Sequence, residues 1–410
     1  MFDPVSLYKC NTYNYSDVSD ALSKALFDID GLSFIKPGMT VGIKANLVTS
    51  MSPDKACTTH PMLIKALCLQ ILKLGASVVI GDSPGGLFTP VFLKSTYKGC
   101  GLTDMVADLE KELKASPADY SGLTAKLNED CSIKDASFDG KSLKSFIYTG
   151  WLDNVDAIVN VCKLKTHAMM GMSCAVKNMF GTIPGATKPE YHMRFPEEMA
   201  FANVMVDLNE FFKPALYVVD AIDGMEGNGP TAGVKRHIGA ILASQKPYAL
   251  DMVCASIINM GLNDCQTLKA AHERSLGPRN VSETKVVGDI SLDMIRVADF
   301  QRATNHQSIT FDGDGLVDKF KAVLIKTVFN TKPILKKDEC IGCKKCYETC
   351  PAKAITMIPC KKNTIPASIP SIDRSKCIKC FCCQEFCPKG AMKVHQNVLA
   401  RFVHRINVKN

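Results

Sequence analysis

The sequence predicts an α/β protein whose mainly parallel sheet is flanked by helices, followed by a small α+β domain at the C-terminus. Short apolar strands alternate with amphipathic helices between residues 17 and 260, a pattern typical of a parallel sheet with helices on its faces. Four of these strands run directly into segments rich in glycine, small residues and polar side chains. After residue 339 the chain changes character, because cysteines recur there at short and regular intervals.

The first half of the chain carries clear helix and strand signals. Apolar residues at helical spacing, such as Val18 and Leu22, predict the first helix. Thr59 is a predicted helix cap, and the proline that follows it at Pro61 suits the first helical turn. The predicted elements are a helix at 17–28, a strand at 40–44, a helix from Thr59 to Gly75, a strand at 77–81 and a helix at 102–113.

The second half resumes the alternation after a polar stretch that ends near Leu152 and carries no clear signal. The predicted elements are a strand at 157–161, a helix at 197–212, strands at 216–219 and 238–243, and a helix at 248–260. Residues 278–335 give no assignment. The predicted domains are therefore 1–333 for the α/β domain, 334–395 for the cysteine-rich domain and 396–410 for a short basic tail.

The composition is that of an ordinary soluble protein. The 410 residues suffice for two or three domains, and 46% hydrophobic with 22% charged residues does not favour disorder. Nineteen cysteines are many, and those outside the regular pattern lack the spacing of a disulfide framework, which predicts a reducing compartment. We find no leader-like start and no apolar stretch of ~20 residues, so we expect a cytoplasmic protein without a membrane span.

The cysteine pattern C-x2-C-x2-C-x3-C-P occurs twice. The first copy is Cys340, Cys343, Cys346, Cys350 and Pro351, and the second is Cys377, Cys380, Cys383, Cys387 and Pro388. This is the spacing of bacterial ferredoxins, whereas structural zinc usually takes two separated C-x2-C pairs. Residues 334–395 resemble the two-cluster bacterial ferredoxin family.

The ferredoxin resemblance implies two 4Fe-4S clusters, in which the fourth cysteine of each copy ligates the other cluster. Cluster 1 would be held by Cys340, Cys343, Cys346 and Cys387, and cluster 2 by Cys377, Cys380, Cys383 and Cys350. With about −2 per cluster, the formal charge of +8 falls to about +4. Lysines crowd residues 336–379 and suit an acidic redox partner protein. No nucleic-acid recognition motif accompanies them.

The four strand exits predict a second site, because ligands of open parallel sheets bind outside the carboxyl ends of the strands. The predicted catalytic residues are Asp82, Lys165, His167 and Lys177. The predicted ligand-binding residues are Lys44, Asn46, Lys163, Asn178, Asp220, Glu226, Gly227 and Gly229, with Asp251 as a further candidate.

Two kinds of ligand suit this set, and the sequence leaves both open. Lysines, Asn178 and glycine-loop amides would hold a small anion such as a phosphate or carboxylate. Alternatively, the side chains of Asp82, His167, Asp220 and Glu226 would hold a divalent metal ion. Three nearby thiols, Cys57, Cys162 and Cys174, are expected to be buried apolar groups rather than nucleophiles. The Gly224 to Gly233 loop is not a P-loop, since it lacks Gly-Lys-Ser/Thr.

The strand-exit motifs carry a second resemblance. Residues 43–48 (IKANLV), 81–85 (GDSPG), 163–167 (KLKTH), 176–181 (VKNMFG) and 220–230 together resemble the prokaryotic family called domain of unknown function three-six-two. The resemblance covers about residues 35–280, with Ala45 standing where the family pattern has proline. It implies a redox protein of anaerobic metabolism, without an agreed reaction.

These observations predict an iron-sulfur oxidoreductase whose two clusters exchange electrons with the strand-exit site. The alternative is a ligand- or partner-binding domain fused to a ferredoxin that carries electrons elsewhere. A third hypothesis, in which the clusters only stabilise the fold, is the least consistent with two complete ferredoxin motifs.

Overall fold

The computed structural model describes residues 2–86, 88–195, 197–303, 332–350, 352–360, 366–377 and 382–395. The strands up to residue 303 are β1 (Phe2–Lys9), β2 (Thr40–Lys44), β3 (Ser77–Gly81), β4 (Ala125–Leu127), β5 (Ile133–Ser137), β6 (Ser145–Thr149), β7 (Ala157–His167), β8 (Gly171–Ser173), β9 (Leu216–Asn228), β10 (Ala232–Ser244) and β11 (Thr284–Gly288). The helices there are α1 (Tyr15–Phe27), α2 (Pro61–Lys73), α3 (Pro90–Gly99), α4 (Leu102–Ala115), α5 (Ala175–Asn178), α6 (Lys188–Arg194), α7 (Glu198–Phe212), α8 (Pro247–Ile257), α9 (Gln266–Glu273) and α10 (Leu292–Ile295).

The main sheet is mixed but mainly parallel, as predicted. Within the described ranges it has nine strands, eight of them in the order β11-β1-β10-β9-β7-β2-β3-β4, while β8 pairs with β7. The pairs β3–β4, β2–β3, β2–β7, β7–β9 and β1–β11 are parallel. Strand β10 runs antiparallel to both of its neighbours. The strands β2, β3, β7 and β9 therefore point their carboxyl ends toward one edge.

Both faces of this sheet are covered, which explains why its strands are apolar along their whole length. Side chains alternate across a strand. In β7, Val159 and Val161 pack in an apolar cluster with α1 and α2, whereas Cys162 and Leu164 pack in another with α8. The helices on the two faces thus bury opposite sides of the same strands.

Strands β2 and β3 match their predicted bounds, but β7 and β9 are much longer than predicted. Strand β7 continues from Val161 to His167 because β8 folds back and pairs with it, with Lys165 opposite Ser173. Strand β9 continues to Asn228 because β10 pairs with it beyond residue 219. The segments predicted as loops after these two strands are therefore hydrogen-bonded strand.

The cap of α2 also differs from the prediction. The backbone N–H of Met62 donates to His60 Nδ1 at 3.2 Å, so His60 is the capping residue. Thr59 instead donates its hydroxyl to the carbonyl oxygen of Val161 at 2.8 Å. This bond ties the start of α2 to strand β7.

The C-terminal part is a small α+β domain, as predicted. It contains two antiparallel pairs, β12 (Lys332–Leu335) with β15 (Met392–His395) and β13 (Ile355–Pro359) with β14 (Ser368–Ile372). The short helices α11 (Lys345–Glu348) and α12 (Cys382–Glu385) carry cysteines of the two motif copies. The predicted ligand Cys380, the motif residue Pro351 and the predicted basic tail at 396–410 lie outside the described residues. Among the helices that the structure describes, none has the length and apolar character of a membrane span.

Candidate functional site

The four cysteines predicted for cluster 1 lie around a single cavity of the C-terminal domain. Cys340, Cys343, Cys346 and Cys387 line this space, together with apolar side chains such as Met392. Three of the thiols come from the first motif copy and one from the second. These residues fit a 4Fe-4S cluster, because four thiolates and an apolar surround are what such a cluster needs.

The described part of the cluster 2 set lies in the same domain. Cys383 is buried and Cys350 is partly buried against the same small apolar core. The backbone N–H of Ala354 donates to Cys350 Sγ at 3.2 Å. In the same way, the backbone N–H of Ala391 donates to Sγ of the cluster 1 residue Cys387 at 3.2 Å. Hydrogen bonds of this kind stabilise thiolates and tune cluster potentials. With Cys380 outside the described residues, the second ligand set stays a prediction.

A second cavity lies at the carboxyl ends of β2 and β3, and we refer to it as the strand-end cavity. Its lining comes from the exits of several strands, from the segment around α5 and α6, and from the C-terminal domain. The lining residues are Asn46, Val48, Asp82, Ser83, Pro84, Gly85, Ser173, Lys177, Asn178, Phe180, Gly181, Lys188, Pro230 and Phe386. Four of the predicted site residues, Asn46, Asp82, Lys177 and Asn178, thus come together here.

A buried ion pair supports one side of the strand-end cavity. Lys44 Nζ lies 2.7 Å from Asp82 Oδ1, and both side chains are almost fully buried. Asp82 also accepts hydrogen bonds from the backbone N–H groups of Leu47 and Ser83, at 2.6 and 2.8 Å. Burial lowers the pKa of Lys44, and the charge of Asp82 opposes that shift. A Cβ at Gly181 would collide with both members of the pair, so a larger residue there would displace them.

A chain of amides and one lysine forms the floor of the strand-end cavity. Lys165 Nζ donates to Asn46 Oδ1 at 2.6 Å, and Asn46 Nδ2 donates to Asn178 Oδ1 at 2.9 Å. Asn178 Nδ2 in turn donates to Asn160 Oδ1 at 2.7 Å, and Asn160 Nδ2 donates to Ala175 O at 2.9 Å. Lys165 therefore lies behind Asn46 and positions it. Asn160, in the middle of an apolar strand, was not among the predicted residues.

The predicted residues Lys163 and Asp220 form a separate buried group that does not line the strand-end cavity. Lys163 Nζ donates to Asp220 Oδ2 at 2.9 Å and to the Tyr13 hydroxyl at 2.8 Å. Tyr13 donates to Asp220 Oδ1 at 2.9 Å and stacks on His60 with ring centroids 3.7 Å apart. Burial lowers the pKa of His60. A neutral imidazole agrees with its role as a hydrogen-bond acceptor at the helix cap.

The remaining predicted residues also lie outside the lining. His167 Nδ1 accepts from the backbone N–H groups of Met169 and Met170 in the turn after β7, each at 3.2 Å. Glu226 Oε2 accepts from the N–H of Gln301 at 3.0 Å. The amides of the predicted glycine loop are used within the protein, since Gly227 N donates to Gln301 O and Gly229 N to Gly227 O.

The structure gives no support to a divalent metal site in the α/β domain. Across the described ranges, no three or more His, Cys, Asp or Glu side chains are grouped to hold one metal ion. In a 4Fe-4S cluster each thiolate binds a different iron, so the cluster cysteines need no such convergence. Asp82 and Asp220 each face a lysine instead.

Asp251 and the three thiols are buried away from the strand-end cavity. Asp251 accepts from the backbone N–H groups of Ala175 and Val176 at 2.8 and 3.1 Å, at the start of α5. Cys162 Sγ and Cys174 Sγ lie 3.7 Å apart in the apolar cluster under α8. Burial raises the pKa of the Cys57 thiol. These thiols have the environment of core residues.

Sequence reasoning missed several residues of the lining, above all Lys188. Lys188 Nζ donates to the carbonyl oxygens of Ser83 and Ile183, at 2.6 and 2.7 Å. The ammonium groups of Lys188 and Lys177 each lie 5.9 Å from the centre of the Phe180 ring. Lys188 follows no strand, so the rule of strand exits could not find it. Its position close after Pro184-Gly185 was the available local signal.

The C-terminal domain closes one side of the strand-end cavity through Phe386, the residue before Cys387. The Phe386 ring packs on Gly85, where a Cβ would collide with it. Gln384 Nε2 donates to Asn228 O at the end of β9, at 2.9 Å. Lys345 Nζ lies 4.3 Å from the centre of the Phe92 ring. Three contacts thus hold the C-terminal domain against the strand-end edge of the sheet.

Comparisons with known proteins agree with both resemblances drawn from the motifs. Residues 41–256 match the family described as Domain of unknown function (DUF362), and residues 339–391 match the family described as 4Fe-4S dicluster domain. The chain is 28% identical over 280 residues to a thylakoid-associated protein of Synechocystis sp., covering 68% of this chain and 81% of that protein.

A solved structure with a detectable likeness is the lactate racemase apoprotein from Thermoanaerobacterium thermosaccharolyticum. The TM-score is 0.38 at 11% identity, over 62% of this chain and 57% of that chain. This chain thus spans little more than half the length of the racemase apoprotein.

Proposed function

Because the chain belongs to the family described as Domain of unknown function (DUF362), here joined to a 4Fe-4S cluster-binding domain, we propose that it is an iron-sulfur oxidoreductase that reacts in the strand-end cavity. One observation carries this proposal. Phe386 is a wall of the cavity, and the next residue, Cys387, lines the cysteine cavity. A redox group and a small-molecule site that share one wall are the arrangement expected of an oxidoreductase.

Two sets of cysteines would hold the clusters. Cys340, Cys343, Cys346 and Cys387 would hold cluster 1, and Cys377, Cys380, Cys383 and Cys350 would hold cluster 2. When bound, a 4Fe-4S cluster takes up and releases single electrons.

An acidic redox protein is the proposed external electron partner. Cys343 is exposed at the surface of the cysteine cavity, which Lys344 also lines, and the side chains of Lys337 and Lys344 are exposed as well. Opposite charges speed the encounter of two proteins and orient them. The exposed lysines therefore suit a partner with an acidic surface, in which case salt should slow electron exchange.

The residues of the strand-end cavity would bind and position the substrate. Lys177 and Lys188 would balance negative charge that builds up on the substrate as it accepts electrons, which is the largest kind of contribution in many enzymes. The buried pair of Lys44 and Asp82 would keep the loops after β2 and β3 in place. Phe386 would close the cavity and keep water out.

The first experiment asks whether the clusters are present. Anaerobically purified protein should contain about eight irons and eight acid-labile sulfides per chain, and dithionite reduction should give electron paramagnetic resonance signals of 4Fe-4S clusters. Zinc without sulfide would contradict the iron-sulfur assignment.

The second experiment separates an oxidoreductase from an electron carrier. Dithionite-reduced protein is mixed with a panel of unsaturated and 2-oxo carboxylates, and cluster absorbance is followed as the clusters reoxidise. Reoxidation by a member of the panel, with formation of the reduced carboxylate, supports the oxidoreductase. Rapid reoxidation by a flavodoxin but by no small molecule would instead indicate a carrier.

A further inference from the structure

We propose that the external electron partner docks where the cysteine cavity reaches the surface, on a face formed by Ile341, Lys344 and Lys389, which we call the Ile341 face. The partner would be a small redox protein whose exposed cofactor edge is apolar and ringed by carboxylates. This inference rests on the proposed function for the presence of cluster 1 and of an external partner. It concerns binding between two proteins, and it is tested without turnover of a small molecule.

The first argument is an exposed apolar side chain at the cysteine cavity. Ile341 follows the predicted ligand Cys340, lines the cavity and is 52% exposed. A single exposed apolar residue is ordinary on a protein surface. This one shares its cavity with the exposed thiol of Cys343, so a protein that covers Ile341 also comes close to cluster 1. Protein interfaces usually place such an apolar centre inside a polar rim.

The second argument is the charge beside Ile341. Among the described residues that line the cysteine cavity, the charged ones are Lys344 and Lys389, and both are exposed. Neither lysine forms an ion pair with another described residue, whereas the carboxylate of Glu339 is paired with Lys393 at 2.7 Å. Two exposed ammonium groups beside an apolar side chain favour a partner that brings carboxylates to the rim of the contact.

The third argument is that the Ile341 face is not used to hold the C-terminal domain in place. The three contacts that hold this domain against the sheet come from Lys345, Gln384 and Phe386. The three residues of the Ile341 face belong to none of them, and none of the three lines the strand-end cavity. A partner on the Ile341 face therefore leaves the domain contact intact, and a small molecule can occupy the strand-end cavity at the same time.

The test is calorimetric titration of the full-length, cluster-loaded protein with two redox proteins of opposite charge, under anaerobic conditions and at low ionic strength. One is an acidic flavodoxin and the other is a basic cytochrome c, and all proteins are kept oxidised so that no electrons move. We expect the flavodoxin to bind at least about 10-fold more tightly than the cytochrome, and salt to weaken that binding.

Two outcomes of the titration would overturn the proposal. The first is equal or tighter binding of the cytochrome, which is expected if the lysines only balance the negative charge of the cluster. The second is no binding of the flavodoxin at low ionic strength.

Variants locate the docking face. Lys344→Glu and Lys389→Glu should each weaken flavodoxin binding by about 3- to 10-fold at low salt, and by much less at high salt, because the lost attraction is between exposed charges. Ile341→Ser should weaken binding by about 3- to 10-fold at both salt concentrations, because it removes an apolar contact. The iron content of each variant is measured beside the wild type.

Matched controls come from the α/β domain. Ile133 is also 52% exposed, and Lys73 is exposed in the last turn of α2. Ile133→Ser and Lys73→Glu should therefore leave flavodoxin binding unchanged. If Ile341→Ser lowers the iron content, Lys344→Glu and Lys389→Glu decide alone. Wild-type affinity in the two lysine variants, or the same loss of affinity in the controls, would refute the placement.

The two proposals fail in different ways. Flavodoxin binding that depends on the Ile341 face, with no reoxidation of the clusters by any small molecule of the panel, would refute the oxidoreductase and leave this inference standing. Reoxidation by a carboxylate of the panel, with no binding of the flavodoxin, would refute this inference alone.

Discussion

Replacing either member of the buried pair Lys44 and Asp82 should destabilise the α/β domain. Two unit charges 2.7 Å apart attract by about 6 kcal/mol at an effective dielectric constant of 20. Desolvation offsets most of this attraction, but removal of one partner leaves a buried charge uncompensated, at a cost of about 3–5 kcal/mol. We therefore expect Asp82→Asn and Lys44→Met each to lower the free energy of unfolding by that amount. The double variant should lose less than the sum of the two.

The assay uses the single tryptophan of the chain. Trp151 is buried beside strand β3, where a Cβ at Gly81 would come within 2.8 Å of its ring. Its fluorescence during urea unfolding therefore reports on the α/β domain rather than on the C-terminal domain. The losses of unfolding free energy caused by substitutions at independent sites add to within about 0.5 kcal/mol. For two residues that form an ion pair, we expect the loss in the double variant to differ from the sum by about 2 kcal/mol or more. Additive losses, or single losses below about 1 kcal/mol, would refute the reasoning about this pair.

Three further predictions concern other parts of the molecule. Burial raises the pKa of Cys100 to about 11, so at pH 8 iodoacetamide should alkylate it about 100-fold more slowly than an unhindered cysteine, as read by mass spectrometry; equal rates would contradict its burial. Gly85→Val should push Phe386 away and raise hydrogen exchange in α12, whereas unchanged exchange would show that the contact is dispensable. Cys387→Ala should lower the iron content by about half, while Cys360→Ala, which removes a cysteine outside both motif copies, should leave it unchanged; equal iron in the two variants would contradict the ligand assignment.

The strands that the sequence predicted well are those with purely apolar interiors. The run from Thr40 to Lys44 and the run from Ser77 to Gly81 end at turn signals, and the structure keeps the same bounds. The predicted strands corresponding to β7 and β9 ended too early, because Lys163, Lys165 and Gly224 are residue types common in loops. They extend as strands because β8 and β10 pair with them, and because Lys163 and Lys165 find partners that are distant in sequence.

Only some of the residues predicted for the strand-exit site meet in the strand-end cavity. The strand-exit rule placed Asp82 and Asn178 at one edge, and the structure brings them to one cavity. The same rule included Asp220. Asp220 does not line the strand-end cavity, because it pairs with Lys163 in the separate buried group. The strand-exit rule missed Lys188 because it follows no strand. It missed Phe386 because that residue belongs to another domain. Contacts between domains leave no mark in local sequence patterns.

The contacts of Asp82 and Lys165 give both residues a structural role. Both were predicted as catalytic residues, and that assignment stays untested. Asp82 accepts two backbone hydrogen bonds and forms an ion pair with Lys44. Lys165 donates to Asn46 and to the carbonyl oxygen of Cys57. Loss of turnover in an alanine variant of either residue would therefore report stability as much as chemistry. Lys188 and Lys177 are the better probes of the reaction.

The most direct test of the account is the reoxidation rate of dithionite-reduced protein by cinnamate in the wild type and in Lys188→Met. Cinnamate takes up two electrons and two protons to become 3-phenylpropanoate, and ferricyanide serves as an acceptor that needs no binding site. We predict reoxidation by cinnamate that falls by about 10-fold or more in Lys188→Met, with equal iron content and equal rates toward ferricyanide. The same cinnamate rate in both proteins, or no reoxidation of the wild type by cinnamate or any other carboxylate of the panel, would contradict the claim that the strand-end cavity and the clusters act together.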